Sequence, residues 1–286
     1  MSMKKLAAVV LAMSVSCAAP AFAVAKGGID VISREEGSGT RGAFIELFGV
    51  EQKDTDGKKV DMTTDNADIT NSTSVMMTMV AGNPNAIGYA SMGSLKKADV
   101  KALAISGAAA TAENIRKGDY KIARPFNVAA KGQLRPAAQA FLNFVMSAQG
   151  QKVIVDNGYV AVNEKAAPFA AKRVAGKVVA AGSSSIAPIM EKLKEAYLLV
   201  NPAAEIEVQT SDSTTGMTSA ISGICDLGMA SRGLKESELK AGLTPVAIAM
   251  DGIAVIVNKG NELKGLTVEQ VRDIYTGKIE NWETLK

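Results

Sequence analysis

One local pattern occurs three times in this chain and limits the folds open to it. Each copy has a strand-like run, a turn rich in Ser, Thr and Gly, and an apolar-faced helix. Further strand-like and helical segments alternate along the rest of the chain, which predicts an α/β fold with a mostly parallel sheet. The strand-like runs are 29–33, 177–181 and 205–210, the turns are 37–40, 182–185 and 211–214, and the helices are 42–48, 186–199 and 215–222.

The hydroxyl-rich turns also have a chemical meaning, because each one precedes the N-terminus of a predicted helix. Such an N-terminus carries unpaired N–H groups and partial positive charge, so it attracts anions. A single turn of this kind is usually only a helix cap. Three of them in one chain, with Arg34 beside the first, favour an anion site, since Arg can bind an oxyanion through two hydrogen bonds. The alternative for Arg34 is a surface ion pair with Glu35 or Glu36.

Glu36 bears on which anion such a site would accept. A carboxylate beside the site repels a fully ionised guest such as sulfate, but it accepts a hydrogen bond from a guest that keeps a proton, such as hydrogen phosphate. The alternative for Glu36 is a solvated acid in an exposed loop.

Composition excludes several functional classes. The 286 residues, of which 47% are hydrophobic, suffice for one large domain or two lobes with substantial cores. The chain has no His and only 2 Cys, which argues against the usual zinc sites and His-based catalytic triads. Aromatic residues make up 5% and no basic face is apparent, so nothing indicates a nucleic-acid surface.

Residues 1–23 have the features of a signal peptide that is removed on export. Lys4 and Lys5 precede an apolar run too short to span a membrane, and an Ala-Phe-Ala cleavage site ends at Ala23. A lipid anchor through Cys17 and a buried N-terminal helix are the less favoured alternatives. Cleavage after Ala23 leaves Cys225 as the one cysteine, so no intramolecular disulfide is expected.

Six motifs together give the chain a specific resemblance that covers nearly all of the predicted mature sequence. They are SREEGSGTRGAF, GSSSIAPIMEKL, SDSTTGMTSAISG, CDLGMASRGLK, AMDGIAVIVN and YTGKIENW. The set resembles the exported phosphate-binding proteins of ABC transporters, which belong to the two-lobed periplasmic-binding-protein class. The resemblance implies a hinge, a central cleft, and a monomer that captures inorganic phosphate without enzymatic activity or a cofactor. Its partner would be the membrane permease of an ABC transporter, at the periplasmic or outer side of the membrane.

Other functions stay open from the sequence. Sulfate, molybdate or tungstate could replace phosphate as the ligand. An exported phosphate-ester hydrolase would use Ser38 or Ser184 as its nucleophile, although the chain lacks His. A surface adhesin or signalling module would keep the fold but not transport.

The resemblance also implies roles for individual residues. Arg34 supplies charge, and hydroxyl or backbone N–H groups on both lobes donate to the anion. Some family members carry an acceptor Asp where this chain reads Ser231-Arg232, so the acceptor is left open between Glu36 and Asp251. Arg41 is expected mainly in a structural ion pair. The implied phosphate-binding residues are Arg34, Glu36, Ser38, Gly39, Thr40, Ser184, Ser185, Ser213, Ser231 and Asp251.

The order of the motifs departs from the family's usual order, in which the GSSS motif precedes the GSGTR motif. Joining Lys286 to Gly27 would restore that order, so the chain resembles a circular permutant in which residues 166–178 bridge the former termini. A fragment of a tandem protein is the alternative. The lobes predicted from this order are residues 24–124 with 251–286, and residues 125–250.

Overall fold

A computed structural model describes residues 27–170 and 173–285 of the chain. The predicted signal peptide, residues 1–23, and its Cys17 lie outside the described residues. Across the described ranges, no helix combines the length and the apolar character needed to span a membrane.

The helices and strands follow the alternation expected from the sequence, so the predicted α/β class is confirmed. The strands are β1 Asp30–Arg34, β2 Glu51–Lys53, β3 Lys59–Asp61, β4 Asp68–Thr70, β5 Ala86–Ser91, β6 Val100–Ala102, β7 Ala104–Ile105, β8 Ala123–Lys131, β9 Val160–Ala161, β10 Gly176–Ser183, β11 Ala204–Ser211, β12 Leu227–Ala230, β13 Leu243–Asn258 and β14 Gly265–Leu266. The α-helices are α1 Gly39–Leu47, α2 Thr73–Gly82, α3 Ala112–Lys117, α4 Pro136–Val145, α5 Ala148–Asp156, α6 Ala187–Val200, α7 Ser213–Ile221, α8 Glu236–Lys240 and α9 Val268–Tyr275. Two short 3-10 helices cover Met92–Lys97 and Trp282–Leu285.

The main sheet has ten strands, eight of them in the order β11-β10-β12-β8-β13-β5-β1-β4, with β6 and β9 paired to β13. Its two ends are parallel, because β10 pairs in parallel with β11 and β12, and β1 does so with β4 and β5. Its middle is antiparallel, because β8 and β13 run against each other and against their neighbours. The expectation of a mostly parallel sheet is therefore wrong: the two long strands that cross between the parallel groups make the sheet mixed.

Two hydrophobic cores lie on either side of these crossing strands. The first core draws its buried members from residues 31–122 and 253–285, and its centre holds the stacked rings of Phe44 and Tyr89, 4.0 Å apart. The second core draws its buried members from residues 126–249, with a smaller cluster beside it. The exact lobe boundaries expected from the sequence, 24–124 with 251–286 and 125–250, stay a prediction.

The Ala-rich stretch 166–178 lies against the second core where it is described. The backbone N–H of Ala148 donates to the carbonyl of Ala167. The Phe169 ring packs edge-on against Phe144, with centroids 5.3 Å apart. The described residues at Ala167 and Phe169 therefore lie along the second core, between β9 and β10 in the chain.

Candidate functional site

The conformation of the turn between β1 and α1 depends on Ser38 and Gly37. The hydroxyl of Ser38 accepts a hydrogen bond from the N–H of Arg41 at 3.3 Å and so caps α1. Gly37 has a φ of +91°, and a Cβ on it would lie 2.6 Å from the Asp212 carboxylate. Only glycine suits this position, since it tolerates the left-handed backbone and leaves room for the neighbouring turn.

Arg34 ends β1 and is the charged centre of the site. Its side chain is only 2% exposed. Its Nε and Nη2 donate to the two carboxylate oxygens of Glu35, each at 2.7 Å. Its Nη1 donates to Thr73 Oγ1 at 3.2 Å, and its Nη2 also donates to Ser184 Oγ at 3.1 Å. The guanidinium therefore binds the Glu35 carboxylate beside it and also the hydroxyl of Ser184, which follows β10 on the side of the second core.

Seven buried hydroxyl residues gather beside Arg34 and are called here the hydroxyl cluster. The shortest contact joins Thr40 Oγ1 to Ser185 Oγ at 2.7 Å, and Thr73 Oγ1 lies 2.9 Å from the same Ser185 oxygen. A hydroxyl both donates and accepts and rotates freely about its C–O bond, so such a cluster can reorient to donate to an anion. The members are Thr40, Thr73, Ser183, Ser184, Ser185, Ser213 and Ser231.

The cluster is continuous from one core to the other. Ser231 Oγ lies 3.4 Å from Thr40 Oγ1 and accepts from Ser183 Oγ at 3.0 Å. The backbone N–H of Ser231 donates to Ser213 Oγ at 3.1 Å. A Cβ on Gly39 would overlap the Ser213 hydroxyl, so the missing side chain of Gly39 is what allows the two turns to meet.

The structure brings most, but not all, of the residues expected at the site together. Arg34, Gly39 and the predicted hydroxyls of the cluster adjoin one another. Glu36 is exposed and lies outside the cluster, where its neighbour Glu35 takes the contact with Arg34. Arg41 pairs with Asp61 at 2.8 Å and donates to the carbonyl of Arg34. The members of the predicted set that lie in or against the cluster are Arg34, Gly39, Thr40, Ser184, Ser185, Ser213 and Ser231, and Ser38 caps the adjoining helix.

Asp251 belongs to a separate buried pair on the crossing strands. Its carboxylate accepts from Arg124 Nη2 at 3.1 Å and from Ser91 Oγ at 2.9 Å. Burial raises the pKa of Asp251 to about 6, against the lowering effect of the Arg124 guanidinium. Burial also lowers the pKa of Arg124, whose Nε and Nη1 have no hydrogen-bond partner among the described residues. Among the described residues, the side-chain partners of Asp251 are thus Ser91 and Arg124, and neither belongs to the hydroxyl cluster.

Three residues of the site are absent from the set predicted to bind phosphate: Glu35, Thr73 and Ser183. The sequence indicates Glu35 only as a surface ion-pair partner of Arg34, and in the structure it pairs with a buried Arg34. Thr73 begins α2 directly after its cap, Ser72, whose hydroxyl accepts from the N–H of Val75. The run Asn-Ser-Thr-Ser at 71–74 is therefore a fourth hydroxyl-rich turn before a helix, and the signal that identified the other three applies to it. Among the described residues, no group of His, Cys, Asp and Glu is arranged to hold a metal ion.

A cavity of about 530 Å³ adjoins the cluster between α2 and α6. Thr73 and Ser184 belong both to its wall and to the hydroxyl cluster. The cavity therefore reaches the edge of the hydroxyl cluster at these two residues.

Comparison with known proteins adds independent information. A family model described as PBP superfamily domain matches residues 19–149 and 167–285. Phosphate-binding protein PstS 2 of Streptococcus agalactiae is 52% identical over 270 residues, which are 94% of this chain and 92% of the relative. Phosphate-binding protein PstS 2 of Streptococcus pneumoniae is 42% identical over 92% of this chain and 89% of its own.

A solved structure agrees with these sequence relatives. The crystal structure of a phosphate ABC transporter, phosphate-binding protein from Streptococcus pneumoniae TIGR4 superposes with a TM-score of 0.71 at 42% identity, covering 91% of this chain and 100% of that chain. The sequence alignments run along nearly the whole of both chains, so this chain shares its order of motifs with the two relatives. Circular permutation is therefore not confirmed.

Proposed function

The chain belongs to the PBP superfamily, and within it to the phosphate-binding proteins of ABC transporters; on that premise we propose that it captures inorganic phosphate between two lobes and delivers it to a membrane permease. The observation that carries the proposal is Arg34, a buried guanidinium that contacts hydroxyls from both cores. We propose the lobes to be residues 24–124 with 251–286, and residues 125–250. The crossing strands β8 and β13 are the hinge between them, and hinge bending opens and closes the cleft.

The chemistry of the hydroxyl cluster suits a dehydrated tetrahedral anion. Stripping water from an anion is costly unless protein hydrogen bonds replace those of water. Seven buried hydroxyls and the Arg34 guanidinium supply that replacement, and hydrogen bonds to a charged oxygen are stronger than neutral ones. Ser38 and Gly39 add the N-terminus of α1, whose partial positive charge favours the same ligand.

Glu35 is the proton acceptor in this proposal, in place of Glu36 or Asp251. Its two oxygens each accept one hydrogen bond from Arg34, and a carboxylate has lone pairs for about four. It can therefore also accept the proton of hydrogen phosphate, which sulfate lacks. Glu36 is too exposed for that role, and Asp251 is occupied by Ser91 and Arg124.

Binding without catalysis is also part of the proposal. A serine nucleophile needs an adjacent general base. The hydroxyl of Ser38 instead accepts from the backbone N–H of Arg41, the hydroxyl of Ser184 contacts Arg34 and Thr73, and none of these groups is a base. We further propose that the mature protein acts as an exported monomer.

Titration calorimetry of residues 24–286 with phosphate and with sulfate tests the proposal. We expect one phosphate per protein and sulfate affinity at least about tenfold lower, because sulfate has no proton to donate to Glu35 and its oxygen atom is repelled by that carboxylate. Absence of phosphate binding would refute the proposed function, whereas equal affinities would refute only the role of Glu35. Deleting the gene should reduce phosphate uptake by cells, a result that an adhesin would not give.

A further inference from the structure

Thr214, at the start of α7, reaches across from the second core to the turn between β1 and α1. Its backbone N–H donates to the carbonyl oxygen of Gly37 at 3.2 Å. Its hydroxyl donates to the same oxygen, also at 3.2 Å. One carbonyl of the first turn therefore accepts two hydrogen bonds from a single residue on the other side of the cleft.

Gly37 makes this close approach sterically feasible. The carboxylate of Asp212 lies where a Cβ on Gly37 would be, and the Thr214 Cβ is 3.4 Å from the same point. The two turns are thus in direct backbone contact, and any opening of the cleft at this point breaks both hydrogen bonds to Gly37 at once.

Arg232, which follows β12, orients the Thr214 hydroxyl. Its Nη2 donates to Thr214 Oγ1 at 3.3 Å. Because that hydroxyl oxygen accepts from Arg232, its own hydrogen is left to donate toward Gly37, and hydrogen bonds in such a chain strengthen one another. Both terminal nitrogens of Arg232 are themselves fixed by the Glu238 carboxylate, at 2.7 and 2.8 Å.

The Arg232–Glu238 pair is nearly buried, with side chains 11% and 7% exposed, so it is a rigid support and not a mobile surface contact. Arg232 stands next to Ser231 of the hydroxyl cluster in the sequence, yet the structure directs its guanidinium to Thr214 and Glu238. Neither Thr214 nor Arg232 is one of the hydroxyl cluster.

We propose that Thr214, positioned by Arg232, is a latch that holds the two lobes closed and sets how fast bound phosphate leaves. This latch rests on the proposed function, to which it adds the contact that controls phosphate release. Its two hydrogen bonds exist only when the turns are in contact, so they slow opening of the closed complex. They are absent when phosphate enters the open cleft, so they leave the association rate nearly unchanged.

The test is Thr214→Val, with Thr218→Val as its matched control. The control makes the same chemical change one helical turn further along α7, at an exposed position. Stopped-flow measurement should show phosphate leaving Thr214→Val about three- to tenfold faster, the range expected for one lost hydrogen bond, with association within about twofold of wild type. Thr218→Val should match wild type in both rates. Release from Thr214→Val at the wild-type rate would overturn the latch.

The role of Arg232 is tested by a double-mutant cycle with Arg232→Lys. A lysine keeps the charge beside Glu238 but lacks the second nitrogen that reaches Thr214. We expect Arg232→Lys to speed phosphate release in the wild-type background and to have little effect in Thr214→Val. Equal acceleration in both backgrounds would show that Arg232 acts by another route. A general loss of stability would not give this dependence on Thr214.

A ligand-independent measurement separates failure of the latch from failure of the proposed function. Spin labels at Thr78→Cys on α2 and Lys192→Cys on α6 report the distance across the cleft. Thr214→Val should shift that distribution toward longer distances, whichever anion the protein binds. An unchanged distribution would overturn the latch, whereas a wild-type protein that binds no phosphate would overturn the proposed function alone.

Discussion

At the scale of the residue, Arg34 is the side chain on which phosphate binding depends most in the function proposed above. Its burial would be unfavourable if it were unpaired, and Glu35 supplies the compensating charge through two hydrogen bonds. The pair is nearly neutral as a unit, so in the proposed function the anion is bound by directed N–H and O–H donors more than by net charge. Such donors recognise the geometry of a tetrahedral oxyanion.

Arg34→Ala should lower phosphate affinity by at least about 100-fold, because truncating one partner of a buried charge pair also leaves Glu35 uncompensated. Calorimetry measures the affinity, and urea unfolding checks that the variant is folded. The matched control is Arg272→Ala, since Arg272 also pairs with the next residue in sequence, Asp273, at 3.0 Å, but its side chain is 35% exposed. The control should bind within about twofold of wild type. Similar losses in both variants would remove Arg34 from the site.

Some residues of the candidate site could be predicted from the sequence and others could not. The hydroxyls of the three turns and Arg34 could be predicted, because each Ser/Thr-rich turn between a strand-like run and a helix is visible in the sequence. The sequence could not show that Glu35, and not Glu36, pairs with Arg34, because the pairing depends on which carboxylate faces the guanidinium after the turn has folded. Thr73 could have been predicted, since the run 71–74 is as rich in hydroxyl residues as the other turns.

At the scale of the element, helix α7 lies unusually close to strand β10. A Cβ on Gly216 would be 2.6 Å from Gly182 Cα and 2.7 Å from the carbonyl oxygen of Ala181. Both are backbone atoms, which cannot rotate away. This close packing places the N-terminal turn of α7, with Ser213 and Thr214, beside the end of β10.

Gly216→Ala should therefore destabilise the protein by about 2 kcal/mol, although alanine favours a helix by about 1 kcal/mol over glycine. Urea unfolding measures the change. Gly42→Ala in α1 is the control, because its Cβ would meet nothing closer than Arg232 Cδ at 3.9 Å. That variant should be more stable by about 0.5–1 kcal/mol. A stabilised Gly216→Ala would contradict the close packing of α7 on β10.

The crossing strands β8 and β13 carry a pH-sensitive pair, Arg124 and Asp251. The pKa of Asp251 is raised by burial from its ordinary 3.8 to about 6, so the folded protein takes up this proton more readily than the unfolded chain. Protonation of Asp251 therefore stabilises the fold, fully below about pH 4, and the contribution is lost as the pH rises through about 6.

Comparison with Asp251→Asn isolates this contribution, because every other titrating group is common to both proteins. The free energy of unfolding of wild type minus that of the variant should rise as the pH falls from 7 to 4. Urea unfolding at four or five pH values in this range measures the difference. A difference that stays constant or falls toward low pH would show that the pKa of Asp251 is not raised.

The elements themselves were largely predictable, because helices such as α4, α6 and α9 have clear apolar periodicity and recognisable ends. The strand pair β2 and β3 was not predicted. All six of its residues are exposed or charged, so it lacks the alternation of a half-buried strand. The antiparallel middle of the sheet was also missed, since strand direction depends on how the long strands cross between the cores.

At the scale of the whole molecule, the described ends of the chain lie side by side in the first core. The N–H of Trp282 donates to the carbonyl of Gly27 at 3.0 Å, and the N–H of Ile29 donates to that of Glu280 at 2.8 Å. The stretch 166–178 leads from β9 to β10 on the second core. A permuted order needs adjacent ends and an opening site outside the regular elements, and the described residues 162–170 and 173–175 belong to no helix or strand.

We therefore expect a rearranged chain, with residue 286 joined to residue 27 by a short Gly-Ser linker and new ends between residues 170 and 173, to fold and bind phosphate. Its lobes would keep all strands of the main sheet intact. Circular dichroism and urea unfolding should show a cooperative fold, and calorimetry should give a phosphate affinity within about threefold of wild type.

The control is a second rearrangement with the same linker but with new ends between Met250 and Asp251. That cut divides β13 where it pairs with β8, and it separates the residues that run from one core to the other. Because β13 is buried and hydrogen-bonded along this stretch, we expect this chain not to fold cooperatively. If the second chain folds and the first does not, the fold does not require an uncut β13, and the expectation is wrong. If only the first folds, the two-lobed architecture depends on the continuity of β13 and not on where the chain begins.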